Sequence, residues 1–304
     1  MNAACAAIER RMVDEAAVFI AGCNRSGTTA LRHTLDQHPA FRVQREMRGG
    51  GRVRSPETGV FVDPERVFAI RDPRGRRLLR YLLGNEGAAA EMLDALGPRQ
   101  DWPRERWPEL LRVFFSFAKR ARGVRRVLEK TPRHVHHLDR LYAAFPRARV
   151  LLCMRHPVDV QSSLQKRRRE RLAAGRPPAP GGWQALTRAD FTGVYAEVSE
   201  LVLDRARRDP ERALLVRYED LTRDPRTHLQ RVCTFVGEPF DESVLLGGLA
   251  VDRDAEGSPR NRGRIVANEK NWEVYLEVEE ASALEDSLAG PLRALGYERY
   301  TSAR

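Results

Sequence analysis

A turn rich in glycine and hydroxyl residues, 22–29 (GCNRSGTT), carries side chains that can hold a phosphate group. It follows a short apolar segment and precedes a helical pattern, so backbone N–H groups and a helix N-terminus would point at an anion. Serine and threonine add hydroxyl donors, glycine allows close approach of the backbone, and arginine adds positive charge. We therefore predict a phosphate-binding loop. Its binding residues are Arg25, Ser26, Gly27, Thr28 and Thr29.

The loop differs from the usual nucleotide triphosphatase pattern, GxxxxGK[ST], at one informative position. Gly22 and Gly27 have the required separation, but Thr28 replaces the lysine, and the cation is Arg25, inside the loop. Because that lysine contacts the outer phosphates of ATP or GTP, its replacement argues against a nucleotide triphosphate. A P-loop kinase for a small metabolite is the alternative interpretation, and magnesium-dependent turnover of ATP would support it.

A second group suited to an anion follows the apolar segment 149–154. Arg155 stands at the end of this segment, and Ser163 lies eight residues later, on a helix predicted at 158–169. A planar arginine fork and a serine hydroxyl in these positions can approach one phosphate from two sides. Together with the first loop, they predict a ligand that carries two separate anionic groups.

In this order, the two segments resemble the nucleotide-binding motifs of sulfotransferases that use 3′-phosphoadenosine-5′-phosphosulfate (PAPS). The loop resembles their [KR]-[SG]-G-T-[TR] motif for the 5′-phosphosulfate, with arginine as in tyrosylprotein and many bacterial enzymes. Arg155-His-Pro157 with Ser163 resembles their 3′-phosphate site. The resemblance runs from about residue 16 to 270 and is thin from 50 to 125, where acceptor recognition usually diverges.

This resemblance implies transfer of a sulfuryl group from PAPS, as a co-substrate, to a hydroxyl or amine of an acceptor. Such chemistry requires a base for the acceptor and a charge that stabilises the leaving oxygen. Glu46, seven residues after Pro39, resembles the catalytic glutamate of heparan-type and tyrosylprotein sulfotransferases. Lys130 lies in an E-K-T-P sequence similar to the E-K-[ST]-P motif of these families, which implies that it neutralises the leaving oxygen. His134 is a second candidate base, since cytosolic sulfotransferases use a histidine near this point, although at another spacing.

Two other segments could cover the site. Residues 260–264 (RNRGR) resemble the basic glycine loop that closes over PAPS, which implies Gly263 and Arg264 as nucleotide-binding residues. A solvated basic turn is the alternative. Residues 166–182 join a basic run, KRRRER, to a proline- and glycine-rich stretch, and this composition predicts a mobile segment. That segment is either a lid over the bound acceptor or nucleotide, or a surface loop without a role.

The acceptor is not identified by the sequence. Candidates are a hydroxyl of a bacterial natural product, a glycan or lipid head group, and a peptide tyrosine. The sequence is also compatible with a homodimer.

The elements that must position these residues alternate regularly along the chain. Strands are predicted at 16–21, 124–128, 149–154 and 213–217, and helices at 29–37, 76–96, 105–122, 135–145, 158–169, 189–207, 226–236 and 279–295. This alternation predicts a central parallel sheet covered on both faces by helices, which is the three-layer α/β arrangement. With the loop at 22–29, it indicates a P-loop NTPase-like fold. We expect one domain over 1–304, with its core at about 16–300 and a variable helical insertion at about 50–125.

The composition is strongly basic, with 53 Lys and Arg against 42 Asp and Glu and a net charge of +11. Such an excess favours an anionic partner, although a general arginine bias would produce it too. A non-enzymatic nucleic-acid-binding protein is therefore a further alternative. The arginines of this chain are dispersed apart from 166–171, and aromatic residues make up only 7%, so we expect no nucleic-acid partner.

Cysteine usage and hydropathy indicate the compartment. Cys5, Cys23, Cys153 and Cys233 are far apart and lack the spacing of metal ligands, so we expect reduced thiols and no metal ion. No apolar run approaches the roughly 18 residues of a membrane span, and the N-terminus lacks the apolar core of a signal peptide. We therefore expect a cytoplasmic protein without a transmembrane segment.

Overall fold

Four short strands form one parallel sheet in the part of the chain that the structure describes. The structure is a computed structural model, and it describes residues 16–41, 57, 59–62, 104–178, 183–246 and 272–301. The strands are β1 (Val18–Gly22), β2 (Leu128–Lys130), β3 (Arg149–Met154) and β4 (Ala213–Arg217). Their order is β2-β1-β3-β4, and Val18 is in register with both Leu128 and Arg149.

The central strand β1 is buried along its whole length because helices cover both faces of the sheet. Alternate residues enter two separate cores, as the two-residue period of a strand requires. Phe19 packs in one core with Phe61, Phe115 and Phe145. Ile20 packs in the other. The predicted α/β arrangement with a helical layer on each face is therefore confirmed.

The helices divide between these two faces. In chain order they are α1 (Thr28–Leu35), α2 (Trp107–Arg122), α3 (Leu138–Ala144), α4 (Pro157–Ala173), α5 (Arg188–Arg208), α6 (Tyr218–Arg223), α7 (Pro225–Val236), α8 (Val278–Ser287) and α9 (Ala289–Leu295). Short 3₁₀ segments add Arg104–Arg106, Pro132–His137, Trp183–Ala185, Glu242–Leu246 and Trp272–Val274. Apolar residues of α1 and α7 join the core around Ile20, while those of α2, α3, α4, α5, α8 and α9 join the core around Phe19.

Several boundaries differ from those predicted. The second strand occupies Leu128–Lys130 rather than 124–128, and the helix predicted at 135–145 is a 3₁₀ segment followed by α3. The final predicted helix is two helices, α8 and α9, which meet at Leu288. The helix predicted at 76–96 lies outside the described residues.

The basic run KRRRER is helical, because α4 continues to Ala173 before Gly175 ends it with a left-handed backbone. Three of its arginines already have protein partners. Arg167 is buried and pairs with Glu170, Arg169 donates to the Val274 carbonyl, and Arg171 donates to the Pro177 carbonyl. Residues 166–173 are thus part of a packed helix, and the linker-like segment begins only at residue 174.

Candidate active site at the carboxyl ends of the strands

The predicted site residues of β1, β2 and β3 meet at one edge of the sheet. Parallel strands end at the same edge, and ligands of open α/β sheets bind there. The loop 22–29 leaves the end of β1, Lys130 is the last residue of β2, and Arg155 directly follows β3. Because β1 lies between the other two strands, the phosphate loop stands between Lys130 and Arg155.

The phosphate loop depends on its two glycines. Gly22 has a φ of 121°, and a Cβ there would lie 2.2 Å from the Cys153 carbonyl oxygen. Gly27 has a φ of 81°, and a Cβ there would lie 2.3 Å from Cδ2 of the Tyr218 ring. Arg25 also adopts a left-handed backbone, with a φ of 67°, which costs roughly 1–2 kcal/mol in a non-glycine residue. The loop is therefore held in a conformation that an unconstrained chain would avoid.

The three hydroxyl side chains of the loop are buried or half-buried. Thr28 is buried and begins α1, and Thr29 is half-buried beside it. The Ser26 side chain is only 2% exposed, and its Oγ has no oxygen or nitrogen partner in the described part of the chain. Its polar neighbour is the Cys23 thiol, a weak hydrogen-bonding group whose pKa burial raises to about 12, with a smaller lowering effect from Ser26. A buried hydroxyl without a strong partner at a helix N-terminus is suited to an anion.

A direct hydrogen bond joins the two predicted anion-binding groups. The Arg25 Nε–H donates to Ser163 Oγ over 3.0 Å, although the two residues are 138 positions apart in the chain. The structure thus brings the first loop and helix α4 together, and binding of an anion by either group stays a prediction.

Arg155 is held on two sides. It is only 8% exposed, and its guanidinium carbon lies 4.5 Å from the centre of the Tyr218 ring, an arrangement typical of a cation–π contact. Its Nε lies 3.5 Å from Oδ2 of Asp159, in the first turn of α4, which is an ion-pair distance without the alignment of a hydrogen bond. Since Tyr218 also packs against Gly27, this ring separates the phosphate loop from Arg155. Sequence reasoning did not place Tyr218 between the loop and Arg155; its position directly after β4 was the available signal.

Lys130 faces the same side of the sheet as α1. It is in register with Ile20, whose core contains Leu31 and Leu35 of that helix. The Lys130 side chain is 5% exposed, and its Nζ makes an ion pair with Glu57 Oε1. Burial raises the pKa of the nearby Cys153 thiol to about 12, and the positive charge of Lys130 has a smaller, lowering effect on that pKa. Sequence reasoning did not identify Glu57, and no local motif marks it.

His134 lies within the opposite face. Its partner Glu129 is in register with Phe19, and the His134 ring packs edge-on against Phe61 with 4.9 Å between ring centres. The imidazole has no exposed surface, and its Nδ1 lies 3.1 Å from Glu129 Oε2, without the alignment of a hydrogen bond. Thr131 Oγ–H donates to Glu129 Oε1 over 2.7 Å and accepts from the Gly59 N–H. His134 and Lys130 are therefore close in sequence but belong to different sides of the sheet.

Three of the predicted site residues, Glu46, Gly263 and Arg264, lie outside the described residues, so their roles stay predictions. Across the described ranges, no group of three or more His, Cys, Asp or Glu side chains could hold a metal ion. Within the same ranges, none of the helices combines the length and the apolar character that crossing a membrane requires.

Comparison with known proteins defines the class. A model described as the sulfotransferase family matches residues 17–242, the part that holds the phosphate loop, Lys130, Arg155 and Ser163. The chain therefore belongs to the sulfotransferase family. This confirms the predicted class of transferase, and the alternative of a small-metabolite kinase is not favoured.

The particular relatives are bacterial. The nodulation protein NoeE of Sinorhizobium fredii is 26% identical over 306 residues, which cover 92% of this chain but only 66% of that relative, just under two thirds of its length. The sulfotransferase domain of the Synechococcus PCC 7002 olefin synthase gives a TM-score of 0.59 at 22% identity, over 93% of this chain and 95% of that domain. Sulfotransferase STF9 from Mycobacterium avium gives a TM-score of 0.52 at 18% identity, over 93% of this chain and 78% of that protein. These structures confirm the predicted P-loop NTPase-like α/β fold.

Proposed function

We propose that this protein transfers the sulfuryl group of PAPS to a hydroxyl or amine of a small-molecule or glycan acceptor, without a metal ion. The observation that carries the proposal is the hydrogen bond between Arg25 and Ser163, which brings two anion-binding groups into one site. PAPS has a phosphosulfate at its 5′ end and a phosphate at its 3′ end, so it needs two such groups. The weakly partnered Ser26 hydroxyl and the glycine backbone fit the 5′ end, and the Arg155 guanidinium fits the 3′-phosphate.

In this proposal the loop holds the phosphosulfate while the acceptor attacks its sulfur. The residues assigned to the 5′ end are Arg25, Ser26, Gly27, Thr28 and Thr29. A bond forms between the acceptor oxygen or nitrogen and sulfur, and the bond between sulfur and the bridging oxygen breaks. The electron pair stays on the phosphate oxygen of the leaving 3′-phosphoadenosine-5′-phosphate (PAP), and a base takes the acceptor proton. Gly263 and Arg264 are proposed to close over the nucleotide.

Lys130 is proposed to stabilise the charge that develops on the leaving oxygen. Its ammonium is nearly buried beside the strand that begins the phosphate loop, and electrostatic stabilisation is stronger in a site that excludes water. The contact with Glu57 balances this charge locally, which makes burial of the ammonium less costly.

The proposed base is Glu46, with His134 as the second candidate. Burial of His134 in the core around Phe19, on the side opposite to α1, supports Glu46 as the first choice. A base must come within hydrogen-bond reach of the proton that it takes, and a fully buried imidazole would have to move to do so.

The compartment and the domain organisation are also proposed. Cys23, Cys153 and Cys233 are buried free thiols, and thiols persist in a reducing compartment, which supports a cytoplasmic location. The family match over 17–242 supports one sulfotransferase domain with its core at about 16–300. Homodimer formation stays a prediction.

Calorimetric titration with PAP, AMP and ATP plus magnesium tests the nucleotide. We expect PAP to bind at least about tenfold more tightly than AMP or ATP, because only PAP engages both anchors with the right groups. Binding of magnesium-ATP at least as tight as that of PAP would contradict the proposal. Incubation with PAPS and a panel of phenolic, hydroxylated and glycan acceptors, followed by mass spectrometry for a gain of one sulfuryl group, then tests transfer.

Arg155→Ala provides the matched variant. Loss of a charged hydrogen bond to the 3′-phosphate should weaken PAP binding by about 1.5–3 kcal/mol. Arg168→Ala, which changes an exposed arginine on the neighbouring helix α4, is the control and should leave PAP binding unchanged.

A further inference from the structure

The C-terminal segment 297–301 packs against the turn that carries Arg155. The Tyr300 ring stacks on the His156 ring, with 3.7 Å between centres and 13° between planes. The His156 Nε2–H donates to the Glu298 carbonyl over 3.1 Å, while its Nδ1 accepts from the Val158 N–H at the start of α4. Both ring nitrogens are thus engaged, and the segment is fixed to the turn between β3 and α4.

The Tyr300 hydroxyl extends this contact to Arg155 through an acid. It donates to Asp159 Oδ2 over 3.1 Å, and the same oxygen lies 3.5 Å from Arg155 Nε. Asp159 is only 3% exposed, so its carboxylate needs polar partners within the protein. The contact uses the Nε side of the guanidinium, and the Tyr218 ring supports its face. The terminal nitrogens of Arg155 are then the donors that can turn toward a phosphate.

The segment is itself anchored independently of this contact. Glu285 of α8 has no exposed surface, and it accepts hydrogen bonds from the Tyr300 and Thr301 backbone N–H groups and from the Thr301 hydroxyl. Helix α8, which packs against α4, therefore holds Tyr300 in place. The position of the Tyr300 hydroxyl does not depend on a ligand contact of its own.

We propose that Tyr300 is a positioning residue for the 3′-phosphate: its hydroxyl fixes Asp159, and Asp159 fixes the orientation of the Arg155 guanidinium. The proposal rests on the assignment of Arg155 to the 3′-phosphate under the proposed function. It extends the nucleotide site to a residue 145 positions from Arg155, near the end of the described chain.

Tyr300→Phe removes the hydroxyl and keeps the ring that stacks on His156. Titration with PAP and with AMP, which lacks the 3′-phosphate, separates positioning from general damage. We expect the Kd of PAP to rise about five- to thirtyfold, less than for removal of Arg155 itself because the guanidinium is still present, and the Kd of AMP to change less than about twofold. Tyr142→Phe is the matched control, because it removes a tyrosine hydroxyl that donates to the Arg212 carbonyl, away from Asp159; it should leave the ratio of the two Kd values unchanged.

Asp159→Asn supplies the second test. If Tyr300 acts through Asp159, the Tyr300→Phe change should have little further effect on PAP binding in the Asp159→Asn background. Additive effects, unchanged PAP binding in Tyr300→Phe, or equal weakening of PAP and AMP would each overturn the positioning role. A wild-type protein that binds PAP no more tightly than AMP would instead contradict the assignment of the 3′-phosphate itself, and the positioning role with it.

Discussion

Lys130 is an ammonium group with little access to solvent, next to the strand that begins the phosphate loop. Burial of a charge is costly unless a partner compensates, and the half-exposed Glu57 carboxylate supplies that partner. Because Glu57 is the more exposed of the two, an anionic ligand can compete for Lys130 without leaving a buried carboxylate unpaired. The pair is therefore suited to a site where the lysine must stabilise a negative charge that develops beside it during the reaction.

Lys130→Met should separate chemistry from binding. If Lys130 stabilises the leaving oxygen, PAPS turnover with an acceptor found in the panel should fall about 10²- to 10³-fold, while the Kd of PAP changes less than about tenfold. Lys166→Met, an exposed lysine on α4, is the control. Parallel losses in kcat and in PAP affinity would indicate that Lys130 only binds the nucleotide.

Glu46→Gln and His134→Ala distinguish the two candidate bases. Glu46→Gln should retain PAP binding and lower turnover by about 10² to 10⁴, the usual contribution of a general base. His134→Ala should mainly lower Tm, because it leaves a cavity beside Phe61 and removes the nearest imidazole from the buried Glu129 carboxylate. Steady-state kinetics and thermal unfolding of both variants decide: loss of turnover in a stable His134→Ala protein would make histidine the base.

At the scale of elements, the phosphate loop is tied to the end of β4 by one close approach. Gly27 contacts the Tyr218 ring, and that ring supports Arg155, so the spacing between loop and ring affects both anchors. Helix α6 begins at Tyr218, and the sheet order places β4 beside β3, the strand that leads into Arg155. A change in the loop conformation should therefore also shift the position of Arg155.

Gly27→Ala should destabilise the protein more than Gly175→Ala does. Both glycines have positive φ, 81° and 66°, but a Cβ at Gly27 meets the Tyr218 ring, whereas a Cβ at Gly175 has nothing within 4 Å. The backbone term is about 1–2 kcal/mol in both, and crowding should add about 1–3 kcal/mol at Gly27 alone. Urea unfolding of the two variants measures the difference. Equal free energies of unfolding would show that the Tyr218 contact yields without cost.

The sequence predicted the elements that are locally apolar and missed what tertiary contacts decide. β3 and β4 were placed at their observed bounds, because each is an apolar run with a clear end. β2 was placed too early, because Glu129 and Lys130 are polar and join the strand only by pairing with β1. Similarly, both anion-binding groups were predicted from residues near strand ends, whereas Glu57 contacts Lys130 across 73 positions and Tyr300 contacts Asp159 across 141. No local spacing encodes such pairs.

At the scale of the whole molecule, the net charge is +11, and several basic side chains in the described ranges are paired within the protein. Arg126 pairs with Glu238, Arg205 pairs with Asp139 and Asp209, and part of the basic run of α4 is used within the fold. These arginines are neutralised by neighbouring groups and therefore add little to a basic surface that a long polyanion could follow.

Duplex DNA should accordingly bind only weakly and with strong dependence on salt. We expect a Kd of about 10⁻⁴ to 10⁻⁶ M at physiological salt, with binding lost as salt rises, while PAP binding is retained because its contacts are local and partly buried. Fluorescence anisotropy with a labelled duplex, with and without saturating PAP, measures both. Sequence-selective DNA binding that persists at high salt would restore the nucleic-acid alternative.

The buried cysteines can report on local opening of the site, because their thiols react with alkylating reagents only when they become exposed. Alkylating reagents attack thiolates, and burial raises the pKa of Cys23 and Cys153 to about 12 and that of Cys233 to about 11. Each thiol therefore reacts only when its surroundings open. Cys23 lies in the phosphate loop and Cys153 packs against the first glycine of that loop, whereas Cys233 lies on α7, in the same helical layer as α1. Pulsed alkylation of a Cys5→Ser protein would thus time the opening of the nucleotide edge separately from that of the helical layer, with no label introduced.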